Sequence, residues 1–578
     1  MAEQHERARQ DLRDWQALQP SNFYTSNRQL RRLLARLMPP AKLAAHQAHF
    51  EHFGAVVAGS LDAAARVNNH RQNLPRLERW SSIGERIESV EHHPSFAECG
   101  KAIYQEGRLV ACYAEAPANL HAQALFYLSG HAGEAGHNCP VACTAGVVKT
   151  LQGEGSAQLQ EQWLPGLLTP AWPERLDGAQ FLTELQGGSD VGANAVEAQP
   201  DGEGQGTTRW RIFGEKWFCS NATAELILLT ARVPGAAGGT DGLGLFLVPR
   251  RLEDGSINHF QLRRLKDKLG TWSMASAEID FNGAEGWAVG AVNAGFRNIM
   301  HYVINTSRLY NSMGCAGIAR RAHLIADTYA RTRRAFGQPI FEYPMVHEML
   351  ADTRATSNVL LAACLTLASE TDRAEAGELD DQALAFLRVV TNLCKMRSCQ
   401  HSHRVVLTGI EMLGGNGAIE DFSVLPRLLR DNVVYENWEG THNTLVAQTV
   451  RDFARLQLHQ GFLAALRARL EIGDPLIEAA LEPAAAAVDR AAAAIPEITI
   501  LDDPGLAGLA LKPHAEALAD AFFAAAYAQD IAAESDSERR TAETEALAFY
   551  CDRYCATQQP ERDSAYAERI RRIAEINS

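Results

Sequence analysis

No stretch of this sequence stays apolar long enough to cross a bilayer. Val359 to Ala368 is among the longest runs, against the roughly 18–20 residues a membrane-spanning helix needs. Basic residues are in short supply, 55 Lys+Arg against 70 Asp+Glu for a net charge of −15, which argues against a general affinity for nucleic acid or an anionic membrane surface. The opening Met1-Ala2-Glu3-Gln4-His5-Glu6-Arg7 is charged and carries no apolar core, so no secretory signal is expected and the expected location is the cytoplasm. Eleven cysteines are an odd number, scattered and mostly set in apolar stretches such as Leu361-Ala362-Ala363-Cys364-Leu365. That setting favours reduced, buried thiols over a disulfide framework. Two His/Cys groups stand out, His131, His137, Cys139 and Cys143, and Cys394, Cys399, His401 and His403. Neither completes a paired zinc spacing, so no metal is expected. No repeat of fixed period is evident.

What is present is a long chain of ordinary globular composition: 578 residues, 46% hydrophobic and 22% charged. This exceeds one hydrophobic core and implies several domains. From about Asn22 to Arg175 the pattern is mostly helical. Leu30, Leu33, Leu34 and Leu37 recur at helical spacing, and breaks at Pro39-Pro40, Pro75, Pro94 and Pro117 divide the region. Between Gly178 and about Asn293 the period changes. Glu225 to Leu229 and Leu245 to Pro249 read as buried strands. Ala275, Ala277, Ile279 and Phe281 alternate with Ser276, Glu278 and Asp280 as a half-exposed strand, and Gly235 to Gly244 is the clearest turn region. After Phe296 helical spacing returns, with Ile318, Ala322, Ile325 and Tyr329 on one face, and continues to about Leu458. The remainder holds an Ala/Pro-rich tract from Ala479 to Pro496 and then two or three helical segments. Residues 451–578 carry 13 Lys+Arg against 22 Asp+Glu, a balance of −9. The expected fold is α+β and multidomain: an N-terminal helical domain over 1–177, a middle β domain over 178–293, a helical bundle over 294–458 and an additional acidic helical region over 459–578.

Chemistry-bearing residues cluster in a few segments. Arg430-Asp431 runs on to Glu436-Asn437-Trp438-Glu439-Gly440-Thr441-His442, placing a carboxylate between a bulky aromatic and a turn. A carboxylate in a water-poor pocket is suited to take a proton from a weakly acidic group as a general base. Trp438 would exclude water and Gly440 lets the backbone turn sharply. Upstream stand Gly414-Gly415-Asn416-Gly417, Arg333-Arg334-Ala335-Phe336-Gly337, Gly214-Glu215-Lys216-Trp217-Phe218-Cys219-Ser220-Asn221 and Thr183-Glu184-Leu185-Gln186-Gly187-Gly188-Ser189-Asp190. Gly188 permits close backbone approach to a phosphate, Ser189 adds a donor, and an arginine suits pyrophosphate oxygens.

In this order and spacing the segments resemble the acyl-CoA dehydrogenase family, over roughly residues 181–455. The words Thr183 to Val191, Leu265-Lys266-Asp267-Lys268-Leu269-Gly270, Trp438-Glu439-Gly440 and Asn22-Phe23-Tyr24 with Ser26-Asn27 look like its AidB-type, alkylation-response branch. The resemblance implies FAD-dependent α,β-dehydrogenation of an acyl-CoA, with Glu439 as the base and flavin N5 as hydride acceptor. A Trp stands at 438 where the family more often has Tyr. The alternative base position of some members matches Ser307, which cannot serve, and a nitroalkane-oxidising branch has aspartate where Glu439 stands. The resemblance places Leu182, Thr183, Gly188, Ser189, Phe218, Ser220, Arg333, Phe336, Gly414, Gly415, Thr441 and Asn443 at the cofactor. Arg308 and Trp438 fall on the substrate side, and Glu411 stands where a glutamine usually leads the adenine-side loop. It further implies a dimer or tetramer with Arg333 and Phe336 reaching a neighbour's FAD, an electron-transfer flavoprotein as acceptor and a place in fatty acid metabolism. An acyl-CoA oxidase shares every one of these motifs. An AidB-like flavoprotein with weak turnover and a DNA-binding role is the other alternative, although the acidic tail is unlike that branch's basic one.

Overall fold

The structure is a computed structural model that describes residues 2–203 and 208–576. Its contacts gather into two compact units, each discontinuous in sequence. One comprises Ser60–Ala118 with Glu134–Tyr310, and the other Met1–Gly59, Asn119–Gly133 and Asn311–Ser578.

The first unit is built on a seven-stranded sheet. The strands Glu197–Glu203, Thr208–Ser220, Ser276–Ala288, Leu243–Pro249 and Leu226–Arg232 follow one another around it. Leu226–Arg232 then returns to Glu197–Glu203 through the single pair Glu197↔Arg232, so the sheet closes on itself. Gly178–Phe181 adds to the closing strand in parallel, and Phe260–Leu265 pairs antiparallel with Ser276–Ala288. Closure leaves few unpaired edges. Phe181, Ile212, Leu229, Phe246, Ile279 and Phe281 fill the interior. The strands read from sequence lie here as expected, with one correction. Ser276 and Glu278 are 2% and 4% exposed rather than outward-facing. Their strand is central, paired on both sides, and Glu278 is covered by Lys266 Nζ at 2.8 Å and by Arg264. A second correction concerns the N-terminal region, where Arg76–Trp80 and Arg86–Glu91 form an antiparallel hairpin inside the span read as helical. Strands of five and six residues are too short to overrule flanking helical periodicity. Pro94, by contrast, acts as expected: it opens the helix Pro94–Gly100, where its missing N–H costs nothing.

The second unit is a helical assembly around Pro344–Glu375 and Asp381–Leu413, helices of 32 and 33 residues. Leu30, Leu33 and Leu34 bury the inward face of Arg28–Leu37, and Asn27 caps that helix by accepting from the Leu30 N–H. The Ala/Pro-rich tract is itself part of a helix, Pro475–Thr499, with Pro483 and Pro496 inside it. Three more helices follow: Pro504–Ala532, Ser537–Tyr554 and Ser564–Glu575. This C-terminal region packs into the unit. Phe462 and Phe522 sit against Phe386 with centroids at 5.5 and 5.6 Å.

Four acids of the C-terminal region, Asp520, Asp530, Glu534 and Glu543, are buried against basic partners. Arg32 Nη2 lies 2.7 Å from Asp530 and 2.7 Å from Glu543, and its Nη1 lies 2.6 Å from Glu534. Asp520 accepts from Arg397 and from the Tyr550 hydroxyl, with His401 Nε2 at 2.7 Å. Burial alone would raise the Asp520 carboxyl, but Arg397 and His401 hold it at about 2.

None of the eleven cysteines forms a disulfide. Both His/Cys groups considered above are turned to other partners: His137 Nε2 to the Phe96 carbonyl at 2.7 Å, His401 to Asp520 and His403 to Glu436. Among the described residues no group of three or more His, Cys, Asp or Glu is placed to hold a metal, and no helix is long and apolar enough to cross a membrane.

Candidate functional site

Leu182, Thr183, Gly188, Ser189, Phe218, Ser220 and Arg308 belong to the first unit, and the other residues expected at the site belong to the second. In the first unit the loop after the strand Gly178–Phe181 is fastened by one buried ion pair. Lys216 is 1% exposed, and its Nζ donates to Glu184 Oε1 at 2.7 Å and to the Leu182 carbonyl at 3.2 Å. Glu184 Oε2 in turn accepts from the Ala195 N–H at 2.6 Å and from Gln186 at 2.8 Å, while the Trp217 N–H bonds the Thr183 carbonyl at 2.9 Å. Burial pushes the Glu184 carboxyl upward, and the adjacent ammonium more than reverses that, so the acid sits below its usual range. The clamp leaves residues 185–186 and 188–190 exposed. A side chain at Gly188 would meet Thr183 Oγ1 at 2.6 Å, so only glycine keeps that approach open.

The strand Thr208–Ser220 bulges between Lys216 and Cys219. The extra residue puts Lys216 and Cys219, three apart, both in the core and turns the Phe218 ring outward, 51% exposed. Lys266 Nζ stands 3.5 Å from the Trp217 ring centroid and 4.7 Å from that of Phe218. Ser220 Oγ is 2.9 Å from Ser276 Oγ. Arg308 is buried at 4% exposure, and the neighbouring Ser307 hydroxyl faces Gln180 Oε1 at 3.5 Å.

We expect Lys216→Met to loosen this loop, because it strips a buried carboxylate of a charged hydrogen bond of roughly 1.5–3 kcal/mol. Amide exchange over residues 182–196 should accelerate by at least about tenfold. Mass-resolved hydrogen exchange checks it, and unchanged protection would show that the pair does not hold the loop.

In the second unit the segment from Arg430 ends the helix Leu425–Asn437 and opens the helix His442–Leu456. Between them Glu439 and Gly440 both have positive φ, +56° and +102°. Glycine adopts this freely, whereas a glutamate must be held there at a cost of about 1–3 kcal/mol. Trp438 stacks on Tyr435 with centroids 5.1 Å apart. Glu436, one turn before, is gripped by Asn432 Nδ2 at 3.2 Å, by His403 Nδ1 at 2.5 Å and by His442 Nε2 at 3.5 Å. Burial opposes its ionisation, but the two histidines bring the carboxyl down to about 2. From the helix Asp381–Leu413, buried Lys395 donates to the Glu436 and Gly440 carbonyls at 3.0 and 2.8 Å.

Other expected residues sit at the margins of this unit. Gly414 and Gly415 are exposed in the short turn Gly414–Ala418, beside exposed Glu411. Arg333 leads into a hairpin, Arg334–Ala335 against Gln338–Pro339, with Phe336 at its tip, 96% exposed. Thr441 Oγ1 is 3.0 Å from Thr444 Oγ1, and Asn443 Oδ1 accepts from Lys512 Nζ at 3.2 Å. Sequence reasoning missed the residues that hold these arms: Lys216, Lys395, Glu436, His403 and Lys512. Lys395 carried no local signal, since Thr391, Asn392, Ser398 and Ser402 share its helix face and make that face polar in the sequence.

Residues 293–454 match the acyl-CoA dehydrogenase C-terminal domain, 179–284 its middle domain and 15–173 the adaptive response protein AidB N-terminal domain. The chain belongs to the acyl-CoA dehydrogenase family. It is 31% identical over 451 residues to acyl-CoA dehydrogenase family member 11 of Caenorhabditis elegans, spanning 75% of this chain and 71% of that one. To AidB of Escherichia coli it is 32% identical over 399 residues, 66% and 69% of the two chains. The crystal structure of Caenorhabditis elegans ACDH-11 in complex with C11-CoA superposes with a TM-score of 0.80 at 25% identity, over 94% of this chain and 93% of that one. The acyl-CoA dehydrogenase of Bacillus anthracis complexed with FAD shares the fold, at a TM-score of 0.72 and 15% identity over 94% and 96% of the chains.

Proposed function

We propose that this protein is an FAD-dependent acyl-CoA dehydrogenase in which Glu439 takes the α-proton of an acyl thioester. The observation that carries the reading is the turn at Glu439: a carboxylate kept in left-handed backbone directly after an aromatic residue. A general base must be aimed before it can be useful, and its geometry matters more than its resting pKa.

The chain's residues fit FAD. The opening at Gly188, the outward Phe218 ring and the half-buried Thr183 offer a close backbone, a π-face and a hydroxyl, and we assign Leu182, Ser189 and Ser220 to the same cofactor. Arg333, Phe336, Gly414, Gly415, Thr441 and Asn443 complete the assignment. The exposed phenyl at 336 suits contact with a second copy, in a dimer or tetramer. When bound, FAD would supply the two-electron acceptor for the β-hydrogen. Trp438 would shield the carboxylate from water, and Arg308 would orient the substrate end. Electron-transfer flavoprotein as the onward acceptor, a cytoplasmic location, fatty acid metabolism and the four-part domain division belong to this same reading.

The match of residues 15–173 to the AidB N-terminal domain favours a second reading, a flavoprotein of the adaptive response with weak turnover. Anaerobic titration of the purified flavoprotein with butyryl-, octanoyl-, lauroyl- and palmitoyl-CoA, followed near 450 nm (approximately the band of oxidised flavin), separates the two. We expect bleaching by one chain-length class. A protein that retains FAD but is bleached by none of the four would overturn the dehydrogenase reading.

A further inference from the structure

Lys395 is completely buried on the helix Asp381–Leu413, at 0% exposure. An ammonium is not placed in such a site without partners, since removing it from water costs several kcal/mol. The partners are informative here. Its Nζ donates to the carbonyl oxygens of Glu436, at 3.0 Å, and Gly440, at 2.8 Å. These two residues bracket Glu439.

The Glu436 carbonyl lies in the last turn of Leu425–Asn437, where helical carbonyls lack intrahelical donors and a cation is favourable. The Gly440 carbonyl lies beyond the turn. One cation binding both closes residues 437–439 into a loop between two fixed points, and within that loop Glu439 takes its φ of +56°. Glu436 is further fixed through its own side chain by Asn432 and His403, so the near end of the loop is rigid and Lys395 sets the far end.

We propose that Lys395 is a positioning residue for the base. It holds the turn that aims the Glu439 carboxylate and puts a positive charge on the backbone either side of Glu439, where with His403 and His442 on the neighbouring Glu436 it favours the ionised, proton-accepting form. The inference rests on the reading of Glu439 as the base.

The test is a double-mutant cycle in the reductive half-reaction, using whichever acyl-CoA of the panel bleaches the wild-type flavin. Lys395→Met is expected to slow flavin reduction by about 10- to 100-fold, to leave FAD content and the affinity for acyl-CoA within about threefold, and to move the acid limb of the pH–rate profile to higher pH. In the Glu439→Gln background the same change should cost less than about twofold, because the base it positions is already gone. Lys395→Gln retains a neutral donor. It serves as the second variant should the methionine protein not fold, and should recover part of the rate without recovering the pH limb.

A Lys395→Met protein that reduces at the wild-type rate with an unshifted profile would overturn the proposal. So would equal losses in the wild-type and Glu439→Gln backgrounds, which would mark a structural role. Failure of the base reading looks different: Glu439→Gln alone would then be reduced normally, whatever Lys395 does.

Discussion

Glu439→Gln is expected to slow reduction of the flavin by acyl-CoA by about 10²- to 10⁴-fold, to a residual rate that single-turnover measurement still resolves, while leaving the flavin in place. A positioned general base contributes about 10²–10⁴ in rate, and glutamine keeps the size and reach of glutamate while removing its ability to take a proton. Glu439 is partly buried between Trp438 and Gly440, with its backbone held at both ends of the turn, so the fold should survive. Stopped-flow reduction at saturating acyl-CoA measures the effect, with a cofactor absorbance ratio as the control. Glu439→Asp is the informative companion. Aspartate tolerates left-handed backbone better than glutamate does but falls one methylene short, so we expect an intermediate rate with normal FAD content. Reduction of the glutamine variant within about tenfold of wild type would remove Glu439 from the mechanism.

Arg32→Met should produce the largest loss of stability in the chain. Arg32 is 10% exposed and stands against Asp530, Glu534 and Glu543, which are 0%, 2% and 8% exposed. Removing one partner of a buried ion pair costs about 3–5 kcal/mol, and here one guanidinium serves three carboxylates. A urea melt should show the midpoint falling with little change in slope, and an unchanged midpoint would show that the carboxylates find other partners.

The wild-type protein carries a related acid signature. Glu534 and Asp520 are both held at about 2, against the pull of burial, by Arg28 and Arg32 and by Arg397 and His401 respectively. Carboxyls lowered in the folded state stabilise it above their ordinary pKa, and the contribution is lost as pH falls through about 2. Burial raises Glu543 and works in the opposite direction. Glu436, also at about 2, and the lowered Glu184 and Glu348 add to the first side, and the raised Glu225 and Asp372 to the second. The balance predicts net loss of stability between about pH 4 and 2, which circular dichroism across that range would record.

The sequence was most legible where one local pattern decides the outcome. The 226–232 and 243–249 strands are apolar runs ended by turn residues, and the Leu30 face is a helical stripe; both are where periodicity puts them. The turn at Trp438-Glu439-Gly440 was visible as a word. What was hidden depends on partners far away in the chain. Glu278 looks like an outward residue of an alternating strand until Lys266 and Arg264 arrive from the neighbouring strand. The acidic excess after residue 451 reads as surface charge throughout, yet Asp520, Asp530, Glu534 and Glu543 are buried against Arg397 and Arg32. Lys216 and Lys395 lay inside segments already singled out, but nothing local says that a lysine will be buried with carbonyls for company.

The pairing of Arg32 with Asp530 spans 498 residues of chain, and this has a consequence for how the protein is made. At a typical synthesis rate of roughly 5–20 residues per second, Arg32 emerges from the ribosome about 25–100 s before its acid partners. The helix Arg28–Leu37 must wait, without these counter-ions, while 498 further residues are made. A nascent chain stalled before residue 530 would carry that helix exposed and should be a chaperone client, whereas one released after residue 543 can close.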